Sequence, residues 1–230
     1  MDEIIVRVAR ALACLTRLKI LSYLARKKEA MPSVLARDLG LGLDAVCMHL
    51  RRLSDAGLVL RRRSGARCYC MAESAYGEDA LSGKVSQWIR RLLEDPVQTM
   101  RNYGVDQLRN SSSGPIAGSA ARMDSPAAEG ALHRLLFEAM TAFINVRRLQ
   151  IVRRLSTGKP LTVDALMAQL HMSDAAVSRH MNKLLRRGYV RAAREDQRLV
   201  YRLSAGHKTA VHRELYEMVA PSLRKGKLRS

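Results

Sequence analysis

A mainly α fold with small β-hairpins, built twice along one chain, is what this sequence predicts. Three observations carry the prediction. Residues 17–67 and 148–198 align without a gap at an offset of 131, with fifteen identities. Among them are Arg17/Arg148, Leu18/Leu149, Leu24/Leu155, Leu35/Leu166, Val46/Val177, His49/His180, Leu53/Leu184, Gly57/Gly188 and Arg67/Arg198. Most are apolar at helical spacing, so the repeat preserves a core. Second, 47% of residues are hydrophobic, yet only two Phe and one Trp are present. Such cores are built from Leu, Ile, Val, Ala and Met and suit packed helices. Third, the helix-periodic stretches of each copy end in a Gly stop followed by short, Arg-rich, β-prone runs.

The elements follow from local signals. In the first copy Asp2 opens a helix to about Leu15, and Thr16 caps a second, RLKILSYLAR. Pro32 suits the first turn of a third helix, SVLARDL, because its missing N–H is not needed there. Gly40 and Gly42 make a tight turn, and Asp44 starts a fourth helix, AVCMHLRRLSDA, stopped by Gly57. LVLRRR and RCYCMA are the strands of a hairpin around SGA. The second copy repeats this with a first helix over Ala131–Ile144, then VRRLQIVRRLS. VDALMAQL follows under a Thr162 cap, and DAAVSRHMNKLLRR runs from Ser173 to Gly188. Its hairpin is YVRAA and LVYRLS around Arg194–Gln197. Further helices are expected at 80–94, continuing after Pro96 to about Arg109, and at 206–223.

The 230 residues are enough for two domains of about 100 each: residues 1–110 and 131–230, joined by 111–130. The joining stretch is rich in Ser, Gly, Ala and Pro. As a flexible linker of about 20 residues it reaches roughly 25 Å, enough for the halves to lie side by side. The basic tail LRKGKLRS is expected to be disordered.

Net charge is +19. Residues 1–110 hold 19 Lys/Arg against 12 Asp/Glu, and residues 131–230 hold 20 against 7. Two basic halves fit neutralisation of phosphates along double-stranded DNA. An anionic membrane surface is the alternative on charge alone. MDEIIVRVAR is not a signal-peptide pattern, no apolar run approaches the roughly 18 residues of a membrane span, and the cysteines at 14, 47, 68 and 70 form no regular disulfide framework. The expectation is a cytoplasmic protein with reduced thiols and no membrane partner. No Gly-rich phosphate loop, nucleophile elbow or paired-carboxylate signature is present, so the sequence is not read as an enzyme and implies no cofactor.

Helix, tight turn, helix and basic hairpin is a winged helix–turn–helix, in which the second helix of the pair enters the major groove. The stretches TRLKILSYL and LARDLGLGLDAVCMHLRRLSDAGLVLRRRSGARCY resemble the arsenic-repressor-like (ArsR) family of transcriptional regulators. So do RRLQIVRRL and LMAQLHMSDAAVSRHMNKLLRRGYVRAAREDQRLVYRL. The resemblance covers most of residues 5–73 and 135–204. Family members are usually single-domain homodimers paired through their first and last helices. The resemblance therefore implies an intramolecular pseudodimer, with helices near 2–15 and 80–94 on those near 131–144 and 206–223. Trp88, at helical spacing with Leu81, Val85 and Leu92, is read as an anchor between the halves, or else as core filler of the first.

With Val46, Leu50, Leu53 and Val177, Met181, Leu184 facing the cores, the opposite faces are the readers. The second copy offers Ser178, Arg179, Asn182 and Lys183 to base edges and phosphates. The matching residues of the first are Cys47, Met48, Arg51 and Arg52, with Ala45 at the start. Arg61, Arg62, Arg63 and Arg67 in one hairpin and Arg191, Arg194 and Arg198 in the other are expected on phosphate or in the minor groove. His49 and His180 are read as structural. The reading is a sequence-specific regulator, a repressor, on an imperfect palindrome. Its rivals are an architectural DNA-binding factor, or a protein-interaction module in which the first domain no longer reads DNA.

Metal sensing in the family uses cysteines near the third helix, and MPSVLARDL and TVDALMAQL contain none. His207, His212, Glu214 and Glu217 crowd one last helix, but the two histidines are five apart, poor spacing for a shared ion. No metal site is expected. Cys68 and Cys70 share a strand face, and with Cys47 they remain candidates for a redox switch. The effector and the operator sequence are not legible.

Overall fold

The computed structural model describes residues 1–109 and 125–225. The expected linker lies outside the described residues up to residue 124, as does the tail from residue 226; the first residues of that tail, 223–225, are helical and not disordered, with Leu223 buried in the core. The first copy runs α1 (Asp2–Leu12), α2 (Leu15–Lys27), β1 (Glu29–Ala30), α3 (Pro32–Leu39), α4 (Leu43–Asp55), β2 (Leu60–Ser64), β3 (Arg67–Met71), α5 (Leu81–Glu94) and α6 (Pro96–Arg109). The second runs α7 (Ser125–Thr141), α8 (Val146–Leu155), α9 (Val163–Leu170), α10 (Asp174–Arg186), β4 (Val190–Glu195), β5 (Arg198–Leu203) and α11 (Ala210–Lys225).

Helix α1 stops at Leu12, short of the expected Leu15, and Thr16 lies inside α2 instead of capping it. The cause is Arg17. Its guanidinium, buried at 7% exposure, donates to the carbonyls of Ala11 and Arg10. A cation at a helix C-terminus satisfies orphan carbonyls and opposes the negative end of the dipole. The repeat does the same: Arg148 Nε donates to Ala142 O at 2.8 Å and Nη2 to Thr141 O at 2.9 Å, so α7 stops at Thr141 and not near Ile144. Burial lowers the pKa of both arginines.

The α3–α4 turn passes through Gly40 at φ +63°, and its counterpart in the α9–α10 turn is His171 at φ +49°. A side chain there is strained, so the second copy tolerates what Gly makes free in the first. Gly57 and Gly188, both at φ +71°, end the two reading helices. A Cβ at Gly57 would lie 2.5 Å from the Tyr76 ring, and one at Gly188 would lie 2.8 Å from Lys208 Cβ.

Both hairpins form with two-residue turns. In the second, Asp196 and Gln197 both have positive φ and the strands extend to Glu195 and Arg198, tighter than expected. The short strand β1 was not legible in the sequence: Ala30 pairs with Cys70, and the repeat keeps this contact as a single bridge, Leu161 with Tyr201.

One hydrophobic cluster runs through both copies. α1 lies on α7 and α8, α2 on α7, and α5 on α11. Polar contacts cross the same seam: Ser22 Oγ lies 2.7 Å from His133 Nε2, Arg26 pairs with Glu129 at 3.1 Å, and Arg153 pairs with Asp2. Trp88, 4% exposed, donates through Nε1 to Glu214 at 2.6 Å, and Tyr103 OH donates to the same carboxylate at 2.9 Å. These contacts explain why α7 is already helical at Ser125, six residues ahead of the expected Ala131. Pro126 suits a first turn, Ala128 is buried, and Glu129 reaches the first copy.

Candidate nucleic-acid interface

The two reading helices bury the faces the periodicity assigned, with Val46, Leu50, Leu53 and Val177, Met181, Leu184 in the core. On α10, Arg179 and Asn182 are exposed, while Ser178 and Lys183 are half-buried. Ser178 Oγ points to the Asp174 carboxylate at 3.5 Å, a weak contact that keeps the hydroxyl near the helix start. Burial, with Arg187, Arg148 and Arg186 around it, lowers the Lys183 pKa. On α4, Cys47, Met48, Arg51 and Arg52 are exposed and Ala45 is half-buried. Sequence reasoning passed over Leu43 and Arg186. Both are exposed, and each lies four residues from a named reader, Cys47 and Asn182, a spacing that helical geometry makes adjacent.

The hairpins differ. Arg61, Arg62, Arg63 and Arg67 are all exposed. Arg62 is partly committed: it donates to Glu29 at 2.8 and 3.2 Å and lies 5.1 Å from the centre of the Tyr69 ring. In the second hairpin Arg191, Arg194 and Arg198 are exposed, Arg202 pairs with Glu195 at 2.7 Å, and Ala192 and Ala193 stand where the first has Arg61 and Arg62.

His49 and His180 sit inside each reading helix with Nδ1 buried and without a hydrogen-bond partner. Burial, helped by Arg17 and Arg52 around His49 and by Arg148, Arg179 and Arg147 around His180, lowers both pKa values. They are neutral fillers at pH 7. The cysteines are free, and burial pushes Cys70 up to about 11. That makes it a poor nucleophile, with Cys47 exposed and Cys68 half-buried.

The residues of the last helix go separate ways. His212 is buried 2.8 Å from Thr209 Oγ1 and 5.4 Å from the Tyr189 ring centre; His207 lies against Tyr189 and Tyr216; Glu214 turns to Trp88 and Tyr103. Among the described residues no three His, Cys, Asp or Glu side chains gather as ion ligands, and no helix is long and apolar enough to cross a membrane.

Residues 145–192 match the model of the bacterial regulatory protein, arsR family, and residues 16–62 match a helix-turn-helix domain model. The chain is an ArsR-like helix–turn–helix regulator in two tandem copies. The matched models cover α2 to β2 and α8 to β4, the stretches that hold both reading helices. ArsR-like regulators bind double-stranded DNA, and the matched families are DNA-binding rather than enzymatic. None of the curated proteins matches the chain.

Proposed function

We propose that this ArsR-like regulator is a sequence-specific repressor whose two copies act as a pseudodimer within one chain. The domains are residues 1–110 and 131–230, the second extended back to Ser125 by α7, and they set two reading helices on one imperfect palindrome. The observation that carries the reading is the seam itself: the first helices of the two copies, α1 and α7, lie on each other, and so do α5 and α11, the helices that follow the two hairpins. A short joining segment makes that pairing intramolecular, at about millimolar effective concentration. Arg179 and Asn182, assisted by Ser178 and Lys183, read base edges and phosphate in one half-site. Met48, Arg51, Arg52 and Ala45 face the other. Arg63, Arg67, Arg194 and Arg198, with Arg62 in a lesser part, hold phosphates. A chain spanning two major-groove faces represses by occupying ground that a polymerase needs.

Selection of bound duplexes from random DNA, followed by footprinting, tests this. An imperfect palindrome with half-sites about 34–36 Å apart is expected, bound by one chain of 25.7 kDa that sediments as a monomer. Equal affinity for selected and random duplexes would hand the chain to the architectural reading. A tight homodimer would mean that a pairing surface works between chains.

A further inference from the structure

We infer that the first copy's reading helix recognises thymine methyl groups, so that T·A pairs define its half-site while hydrogen-bonding base edges define the other. The inference rests on the proposal that α4 lies in a major groove. Few large apolar side chains among the described residues are left exposed. Leu43, at 50%, and Met48, at 44%, are two of the few, and Cys47 between them is exposed as well. All three fall in the first two turns of α4, the end of a recognition helix that meets base edges. Their counterparts on α10 are Asp174, Ser178 and Arg179, every one polar.

The chemistry of the groove then limits the ligand. Leu and Met carry no hydrogen-bond donor, and the apolar group that an unmodified major groove offers is the C5 methyl of thymine. Met adapts its shape to such a group through three rotatable bonds and a polarisable sulfur. Charge separates the two helices further. The exposed charges of α4 are Arg51 and Arg52 against Asp44 and Asp55, whereas α10 exposes Arg179 and Arg186 against Asp174 alone, with half-buried Lys183 beside them. Helix α4 is thus the poorer phosphate clamp. The phosphates on that side fall to the adjacent hairpin, where Arg61, Arg63 and Arg67 are exposed. A basic hairpin beside an apolar tip that carries one carboxylate, Asp44, fits a duplex better than it fits a protein partner, which would have to accept the arginines too.

Replacing thymine by deoxyuridine removes the methyl and nothing else. The full chain is titrated on its operator with this replacement made in one half-site at a time. In one half-site each contacted methyl lost should weaken binding about three- to fivefold, and in the other the change should stay below about twofold. Leu43→Ala or Met48→Ala, with folding checked by circular dichroism, should bind the normal operator more weakly and lose its sensitivity to deoxyuridine in that same half-site. Silence of the replacement in both half-sites overturns the inference, as does full sensitivity retained by both variants. If Arg179→Ala still erases sequence preference in those cases, the regulator reading stands and only the methyl reading falls. Silence together with unchanged operator affinity of Leu43→Ala assigns the apolar tip to a protein partner. If no variant and no base replacement matters, the major-groove reading itself falls.

Discussion

Arg17 and Arg148 occupy equivalent places in the two copies and do equivalent work, each buried and each holding the last carbonyls of the helix before it. Met48 and Arg179 are equally equivalent in position and share nothing chemically. Inside, a helix end without partners costs the same in both copies, so the same guanidinium is kept. Outside, water satisfies whatever is there, so the faces are free to diverge according to what touches them. The hairpins show the same freedom, with Arg61 and Arg62 in one standing where Ala192 and Ala193 stand in the other. The histidines divide the copies as well. The first has only half-buried His49, whereas the second buries His133 and His212.

Those histidines give the largest expected difference. Burial pushes His133 and His212 down to about 4; Glu129 opposes the shift at His133 while Lys19 and Arg26 add to it. At His212, Lys208, His207 and Arg187 add to it and Glu138 opposes it. The folded pKa is below the unfolded value of about 6.5, so the unfolded chain takes up protons first. The stabilisation is complete above about pH 6.5 and is lost as pH falls toward 4. Urea unfolding should show about 2 kcal/mol lost per histidine between pH 7 and pH 5, partly restored in His212→Gln or His133→Gln. Hydrogen exchange should place the first opening in the second copy or at the seam. Opening of the first copy ahead of the second would break the comparison.

The buried arginines test where the copies should agree. Arg17→Met and Arg148→Met each leave two carbonyls short of a donor and should cost about 2–4 kcal/mol, the same within about 1 kcal/mol. Chemical denaturation of the two variants decides it, and a cost near zero in either would remove the capping role.

Arg179→Ala should weaken operator binding by about 1–3 kcal/mol and relax sequence preference. Met48→Ala, its counterpart, should cost less than about 1 kcal/mol. Isotherms on operator and random duplexes make the measurement. A Met48 variant as damaged as the Arg179 variant, with both folded, would make the first copy the principal reader.

The smallest effect separates neighbours on one strand. Log affinity should fall with log salt by about 0.9 for each phosphate neutralised. Arg63→Gln should lower that slope by close to one full contact and Arg62→Gln by less, because Glu29 already holds Arg62. Equal changes would show that the Glu29 pair opens on DNA.

The Arg62 pair was out of reach of the sequence because Glu29 lies 33 positions away and meets it only once β1 joins the sheet. The reading faces were legible, since helical spacing alone assigns Val46 and Val177 to the core and Met48 and Arg179 to the opposite side. Leu43 was missed because it looks like a core residue until its exposure is seen.

By itself the sequence determined the repeat, the helix-hairpin order, the Gly stops at 57 and 188, and the basic character of both halves. These rest on local periodicity, backbone conformation and charge, which act over a few residues. Only the tertiary structure decided where α1 and α7 end, that α7 is already helical at Ser125, that Trp88 meets Glu214 across the seam, and that Arg62 is paired within the protein. Each of those depends on groups far apart in the chain. Whether a buried carbonyl, carboxylate or guanidinium finds its partner is settled by packing, which no local pattern encodes.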